Sequence, residues 1–158
     1  MARCVLLCVL VALILCQSSP VFAWWFIEKV NVSIANKLEG GKALIIHCKS
    51  KDDDLGVHVL PVDGMFYIRF YNNFFHTTLF WCDMQWERSP GGDWVRDSFN
   101  IYRSHRDIDR CRDKCLWNVK EDALYSANTN GDWEPIYFWS KRSADDDSNS
   151  SRQWQHQA

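Results

Sequence analysis

The sequence predicts an all-β protein, an antiparallel β-sandwich stabilised by two disulfides. Short segments in which apolar and polar residues alternate follow one another along the chain. Turn residues separate them about every 8–12 positions, as in antiparallel sandwiches. No segment sustains the period of about 3.6 residues that a helix would show. The nine Trp, nine Phe and five Tyr fall mostly within these segments, where aromatic side chains pack well on a pleated surface.

Nine segments carry the strand pattern. Glycine, proline and aspartate mark turns near residues 40, 63 and 90. The charged stretch 49–54 and the stretch 71–76 are predicted to be loops. The predicted strands are residues 27–35, 43–49, 55–60, 65–70, 77–86, 94–102, 116–120, 124–125 and 136–139.

The N-terminus has the layout of a cleavable signal peptide, residues 1–23. Arg3 supplies the positive charge, residues 5–16 form an unbroken apolar run, and Ala23 ends a Val-Phe-Ala cleavage site. The alternative, a transmembrane anchor, needs about 20 apolar residues, and this run is shorter. The chain is therefore expected to be secreted and extracellular, without membrane insertion.

The remainder fits one domain followed by a polar tail. Residues 24–139 carry the strand pattern, whereas residues 140–158 are rich in Ser, Gln and Asp. Such a composition buries too little apolar surface to offset its ordering entropy, so the tail is predicted to be disordered. The net charge of −2 argues against a nucleic-acid partner, because such binders carry basic patches. The oligomeric state is left open.

Four of the seven cysteines remain once the signal peptide is removed. Cys48, Cys82, Cys111 and Cys115 form an even set in a secretory context, which predicts two disulfides. Three pairings are open. Because Cys111 and Cys115 lie close in sequence and gain little from bridging each other, bridges to Cys48 and Cys82 are expected. Of the two pairings that provide them, we favour Cys48–Cys115 with Cys82–Cys111. The alternative, a four-cysteine zinc site, requires two close pairs, and this set contains one.

No residue pattern predicts a metal, cofactor or catalytic site. Asp52, Asp53 and Asp54 suggest calcium, but adjacent carboxylates on an extended chain do not converge on one ion, and the EF-hand spacing is missing. A solvated acidic loop is the favoured alternative. His47 and His58 lie in neighbouring predicted strands, and they would serve a hydrolase only by converging on one substrate. A structural role is favoured for both.

Two N-x-S/T sequons, at Asn31 and Asn149, predict a glycoprotein. Asn31 lies within a predicted strand whose alternation places Val30 and Val32 on the opposite face. Its side chain is therefore expected to face solvent. Asn149 lies in the polar tail.

Several motifs occur in an order that is typical of one family. His47-Cys48 is followed by the charged octapeptide Lys-Ser-Lys-Asp-Asp-Asp-Leu-Gly. Two further motifs are Thr78-x-Phe80-x-Cys82-x-x-x-Trp86 and Cys111-x-x-x-Cys115-x-Trp117-x-Val119. Across residues 28–126 the chain resembles the plant self-incompatibility protein family, the S-protein homologues. His76 and Ala123 stand at turn positions where the family usually has glycine.

The resemblance implies a secreted, non-enzymatic β-sandwich that binds a cell-surface receptor protein, in pollen–pistil recognition or another cell–cell signal. Recognition residues concentrate in loops, so the contact surface is expected in residues 49–54, 71–76 and 87–93. The candidate contact residues are Asp52, Asp53, Asp54, Asn73 and His76.

A glycan- or cell-wall-binding module is the alternative function, with Trp24, Trp25 and Trp94 as candidate stacking residues. A planar row of exposed tryptophans would favour it, and buried tryptophans would exclude it. A secreted hydrolase that uses His47 and His58 is less favoured.

Overall fold

The computed structural model describes residues 29–140 of the 158-residue chain. The predicted signal peptide, Trp24, Trp25, the sequon at Asn149 and residues 141–158 of the predicted tail lie outside the described residues. The elements are β1 Lys29–Asn36, β2 Leu44–Ser50, β3 Asp54–Leu60, β4 Met65–Tyr71, β5 Leu79–Glu87, β6 Trp94–Arg103, α1 Ser104–Arg110, β7 Lys114–Val119, β8 Ala123–Ala127 and β9 Trp133–Phe138.

The strands form two sheets, which confirms the predicted all-β class. One sheet has five strands in the order β4-β1-β7-β8-β9, and the other has four in the order β3-β2-β5-β6. Neighbouring strands run antiparallel with one exception, because β1 and β7 are parallel. The parallel pair arises because the chain enters β7 at the end of the sheet where β1 begins, so that Asn31 lies opposite Lys114.

The core lies between the sheets and follows from strict alternation. Along β5 every second side chain is buried, from Phe80 to Trp86, and those between them are half-exposed. Strand β1, which is paired on both sides, contributes Val30, Val32 and Ile34. Burial of each such apolar side chain stabilises the fold by about 1.5–3 kcal/mol.

The connections fall at two opposite ends of the sandwich. Ser50 pairs with Phe80, and Phe80 pairs with Tyr102, so these residues mark one end. This end, called the α1 end here, carries the 51–53 turn, the 72–78 connection, α1 and the 128–132 turn. The opposite end carries the 37–43, 61–64, 88–93 and 120–122 connections.

Helix α1 was not predicted, and a buried carboxylate holds it in place. Asp107 is fully buried and accepts hydrogen bonds from both Arg106 Nε and Arg110 Nε at 2.8 Å. Its other oxygen accepts the backbone N–H of Arg103 at 2.7 Å, just before the helix. Seven residues are too few to show a helical period, so packing rather than sequence pattern defines this helix.

The two arginines connect α1 to strands β7, β8 and β9. Their guanidinium groups lie 5.6 Å and 5.0 Å from the Trp117 ring centroid. Arg106 also bonds Tyr137 Oη, and Arg110 bonds Ser126 Oγ. Burial opposes the charge of Arg106, yet its hydrogen bonds to Asp107 and the charge of that carboxylate raise the pKa of Arg106. Removing one partner from such a buried ion cluster typically costs about 3–5 kcal/mol.

The disulfides join Cys48 to Cys82 and Cys111 to Cys115. Two bridges were predicted correctly, but the favoured pairing, Cys48–Cys115 with Cys82–Cys111, is wrong. Cys48 and Cys82 face each other directly across β2 and β5, with their Cα atoms 4.0 Å apart. Cys111 and Cys115 flank the turn between α1 and β7, and their Cα atoms are 5.0 Å apart. Strand register and this turn decide the pairing, and the sequence does not display either.

The two bridges are predicted to differ in their contribution to stability. They close loops with sequence separations of 34 and 4 residues. Because a longer loop removes more entropy from the unfolded chain, replacing Cys48 and Cys82 by Ala should cost about 4 kcal/mol, and replacing Cys111 and Cys115 about 2 kcal/mol. Guanidinium chloride unfolding of the two double variants measures both losses. Equal losses, or peptide mapping that joins Cys48 to Cys115, would contradict the assignment.

Candidate functional site

The acidic loop is a tight turn between β2 and β3. The backbone N–H of Ser50 donates to Asp53 O at 2.8 Å, and Ser50 Oγ accepts the Asp53 N–H at 3.0 Å. Lys51 and Asp52 form the exposed tip. The turn therefore fixes the backbone and presents the carboxylates of Asp52 and Asp53 to solvent.

The Asp54 carboxylate is exposed to solvent, yet it contacts groups of both β2 and β3. Oδ1 of Asp54 accepts the Gly56 N–H at 2.9 Å and lies 2.6 Å from His47 Nε2. The Gly56 N–H, followed by His47, lowers the pKa of Asp54. Gly56 has φ +76°, a conformation that favours glycine. Of the three predicted aspartates, Asp54 therefore shapes the loop, and Asp52 and Asp53 remain candidates for contact.

The 72–78 connection lies at the same end of the sandwich and is clamped at both ends by Ser104. The Ser104 N–H donates to Thr78 O at 3.0 Å, and Ser104 Oγ donates to Asn72 Oδ1. Asn72 is buried and its Nδ2 donates to Tyr102 Oη at 2.9 Å. The connection is thus held to β6 and α1 rather than being a loose loop.

Asn73 organises the connection from within. Its Oδ1 accepts the Thr77 N–H at 2.8 Å, its carbonyl accepts the His76 N–H at 3.0 Å, and its own N–H donates to Thr78 Oγ1 at 3.0 Å. Asparagine side chains commonly build turns in this way. Asn73, predicted as a contact residue, therefore acts on the loop itself, while His76 is exposed at the turn.

This connection exposes two aromatic residues that the sequence analysis missed. Phe74 and Phe75 are 67% and 77% exposed, and their rings pack edge to face at 5.5 Å. The available signal was two consecutive phenylalanines among polar turn residues, outside any alternating strand. Exposed apolar groups on a fixed loop are typical of interaction sites.

The third predicted contact loop, residues 87–93, lies at the opposite end of the molecule. Its backbone closes on itself, because the Arg88 N–H donates to Asp93 O at 2.9 Å and the Gly92 N–H to Ser89 O at 2.7 Å. The fold therefore brings together two of the three predicted loops and separates the third. We call the exposed residues of the two loops at the α1 end, namely Lys51, Asp52, Asp53, Phe74, Phe75 and His76, the apical surface.

The two histidines considered for catalysis lie on opposite faces of one sheet. His47 pairs with Val57, and His58 pairs with Ile46 at the next position. His47 is bound to Asp54 on the outer face, whereas the His58 ring packs on Phe66 with centroids 4.3 Å apart. This geometry prevents the pair from acting together on one substrate. Within residues 29–140, no cluster of His, Cys, Asp and Glu has the geometry of a metal site.

The described tryptophans do not form a planar exposed row. Trp86 and Trp117 are buried in the core. Trp94, at 38% exposure the candidate that falls within the described residues, belongs to the four-stranded sheet, whereas the exposed Trp133 belongs to the five-stranded one. The described part of the molecule therefore does not favour a stacking surface for polysaccharide. Between residues 29 and 140 no helix is long and apolar enough to cross a bilayer.

A protein-family model described as plant self-incompatibility protein S1 matches residues 31–139. This span covers most of the sandwich and includes all four paired cysteines. The chain belongs to the plant self-incompatibility protein S1 family. The resemblance seen in its motifs is thereby confirmed.

Curated relatives agree with this membership. Self-incompatibility protein S1 of Papaver rhoeas is 34% identical over 118 residues, which cover 74% of this chain and 81% of the relative. S-protein homolog 29 of Arabidopsis thaliana is 37% identical over 112 residues, covering 70% and 78%. S-protein homolog 5 of the same plant is 40% identical over 94 residues, covering 60% and 68%.

A solved structure of this family has the same fold. It is described as a self-incompatibility protein homologue from a widespread family of small, highly stable, secreted plant proteins. It superposes with a TM-score of 0.54 at 19% identity, covering 74% of this chain and 99% of that chain. Secretion, predicted from the N-terminal segment, is thus the location described for the family.

The two departures from the family's glycines have different consequences in this S-protein homologue. His76 has φ +54°, so it adopts the left-handed conformation that a glycine would adopt easily. Ala123 is fully buried at the start of β8 and pairs with Phe138. The 72–78 connection therefore keeps its turn despite the histidine.

The lowered pKa of Asp54 predicts an acid-sensitive β2–β3 turn. A carboxyl whose pKa is depressed by folding stabilises the native state above its unfolded value near 3.8, and this contribution is lost as pH falls through the folded pKa. Carboxyl NMR titration should place the pKa of Asp54 below 3.8. The His47→Ala substitution should raise this pKa only part of the way towards 3.8, because the hydrogen bond from the Gly56 N–H remains. A pKa at or above 3.8 in the native protein would contradict this geometry.

Proposed function

We propose that this S-protein homologue is a secreted, non-enzymatic ligand that binds a cell-surface receptor protein through its apical surface. Family membership and the family's secretion support an extracellular role. The name of the Papaver rhoeas relative, a self-incompatibility protein, supports a signal between cells, in pollen–pistil recognition or another setting. The opposed placement of His47 and His58 supports a binding rather than a catalytic role.

The observation that carries the proposal is the exposed pair Phe74 and Phe75 on a clamped loop. Aromatic side chains presented by a rigid backbone lose little conformational entropy on binding. Such residues commonly dominate the binding energy of protein interfaces. The clamp formed by Ser104 and Asn73 supplies that rigidity.

The neighbouring turn adds charge to the same end of the molecule. Lys51, Asp52 and Asp53 are all exposed there, so the turn is locally acidic. Exposed charges at the rim of an interface accelerate association and select partners more than they add affinity. The receptor surface that fits this arrangement has an apolar pocket with basic residues beside it.

Replacing both phenylalanines should weaken binding strongly while leaving the fold unchanged. Loss of two central aromatic contacts worth at least about 2 kcal/mol corresponds to a loss of about 30-fold or more in affinity. Purified, labelled Phe74→Ser/Phe75→Ser protein is titrated on plant plasma-membrane vesicles, with unlabelled wild type as competitor. Circular dichroism verifies the fold.

Phe138→Ser is the matched control. Phe138 is 68% exposed, as much as Phe74, but lies at the opposite end of the sandwich. The control should bind like wild type. Asp52→Lys/Asp53→Lys, with Asp54 intact, should reduce the association rate and its salt dependence. Unchanged binding by the double phenylalanine variant, or equal loss in Phe138→Ser, would refute the apical surface.

A further inference from the structure

The outer face of the five-stranded sheet contains an apolar depression along β1. We call it the β1 trough. Ser33 and Ala35 form its floor, and Met65, Leu116 and Trp133 line its sides, enclosing about 160 Å³. Small residues on β1 and large ones on both flanking sides produce this shape. Tyr67 lies opposite Ser33, and its hydroxyl donates to the Met65 sulfur at 3.1 Å.

The lining combines exposed apolar walls with polar groups at one end. Met65, Leu116 and Trp133 are each 40–47% exposed. The Lys37–Asp63 ion pair, with a 2.6 Å contact, and Asn118 also line the trough. A sugar ring has the matching character, because its faces carry C–H groups and its rim carries hydroxyls.

Asn31 stands at the head of this trough. It lies on the outer face of β1, two residues before Ser33 and about 7 Å from it along the strand. Its neighbours across the sheet are Arg69 and Lys114, both exposed. Asn31-Val32-Ser33 is an N-glycosylation sequon. The Asn31 side chain, to which a glycan would be attached, and the trough therefore lie on the same face of β1.

We propose that Asn31 carries an N-linked glycan whose first sugars lie in the β1 trough. Nδ2 of Asn31 attacks the anomeric carbon of the first sugar of a lipid-linked oligosaccharide. The new C–N bond replaces the anomeric C–O bond, lipid pyrophosphate leaves, and one Nδ2 proton is lost. The substituted amide keeps its second proton and remains a hydrogen-bond donor.

The fold requires this modification to precede folding. Ser33, the hydroxyl residue of the sequon, is only 7% exposed, and β1 is paired on both sides. Its partners β4 and β7 follow much later in the chain. The sequon therefore stays unpaired at least until β4 has followed it into the secretory compartment.

A glycan in this position closes the outer face of the five-stranded sheet to protein partners. It covers the apolar walls, which would otherwise favour self-association. The apical surface lies at the end of the sandwich and stays open. This inference does not depend on the receptor-ligand proposal, and either can fail without the other.

The experiment uses the full chain, with its N-terminal segment, secreted from plant cells. The intact mass of the secreted protein should include an oligosaccharide. The variants Asn31→Gln and Ser33→Ala should each lack it, and the Asn149→Gln control should retain it. Release by a peptide-N-glycosidase in ¹⁸O-water should leave labelled aspartate at position 31. An unmodified Asn31 in the secreted wild type overturns the proposal.

Coverage of the trough is measured on folded protein, so that it does not depend on whether Asn31→Gln folds. Enzymatic removal of the glycan should increase binding of an apolar fluorescent dye, and Leu116→Ser should cancel that increase. Val57→Ser, on the other sheet, should leave the increase unchanged. Dye binding that does not respond to deglycosylation shows that the sugars leave the trough open, which overturns the inference.

Discussion

The carboxylate of Asp107, buried between two arginines, is the interaction on which the α1 end of the molecule depends. It receives the guanidinium groups of Arg106 and Arg110 and the backbone amide of Arg103. A lone buried charge would be costly, but here each oxygen is satisfied, so the cluster fixes one arrangement of helix against sheet. Ser104, the first residue of α1, is thereby fixed in place, and it forms hydrogen bonds to both ends of the 72–78 connection.

These contacts separate the scaffold from the residues that we propose to contact a partner. The core, the bridge between Cys48 and Cys82 and the buried cluster keep the backbone in one conformation. Phe74 and Phe75 then project from a connection whose own polar groups are already hydrogen-bonded. A surface prepared in this way loses little entropy when it binds. On the outer face of the other sheet, the small residues Ser33 and Ala35 of β1 create the trough beside Asn31.

Sequence reasoning succeeded where the signal is periodic and failed where tertiary contacts decide. Alternation predicted the strands from β1 to β6 to within a few residues, and the cysteine count predicted two bridges. The pairing was missed because only the register of β2 against β5 reveals that Cys48 faces Cys82. Helix α1 was missed because seven residues held by Asp107 carry no period of their own. Asn73 and Asp54 were predicted as contact residues, and the structure adds that both hydrogen-bond within their own loops, which the sequence does not display because turn-forming and contact residues look alike.

Whether Asp107 fixes the apical surface from a distance is tested most directly by amide hydrogen exchange. Asp107→Asn is compared with Asp109→Asn, an exposed position on the same helix. We expect Asp107→Asn to lower the protection of the Ser104 and Thr77 amides, although neither amide is hydrogen-bonded to residue 107, and Asp109→Asn to leave both unchanged. Full protection of these amides in Asp107→Asn would contradict it.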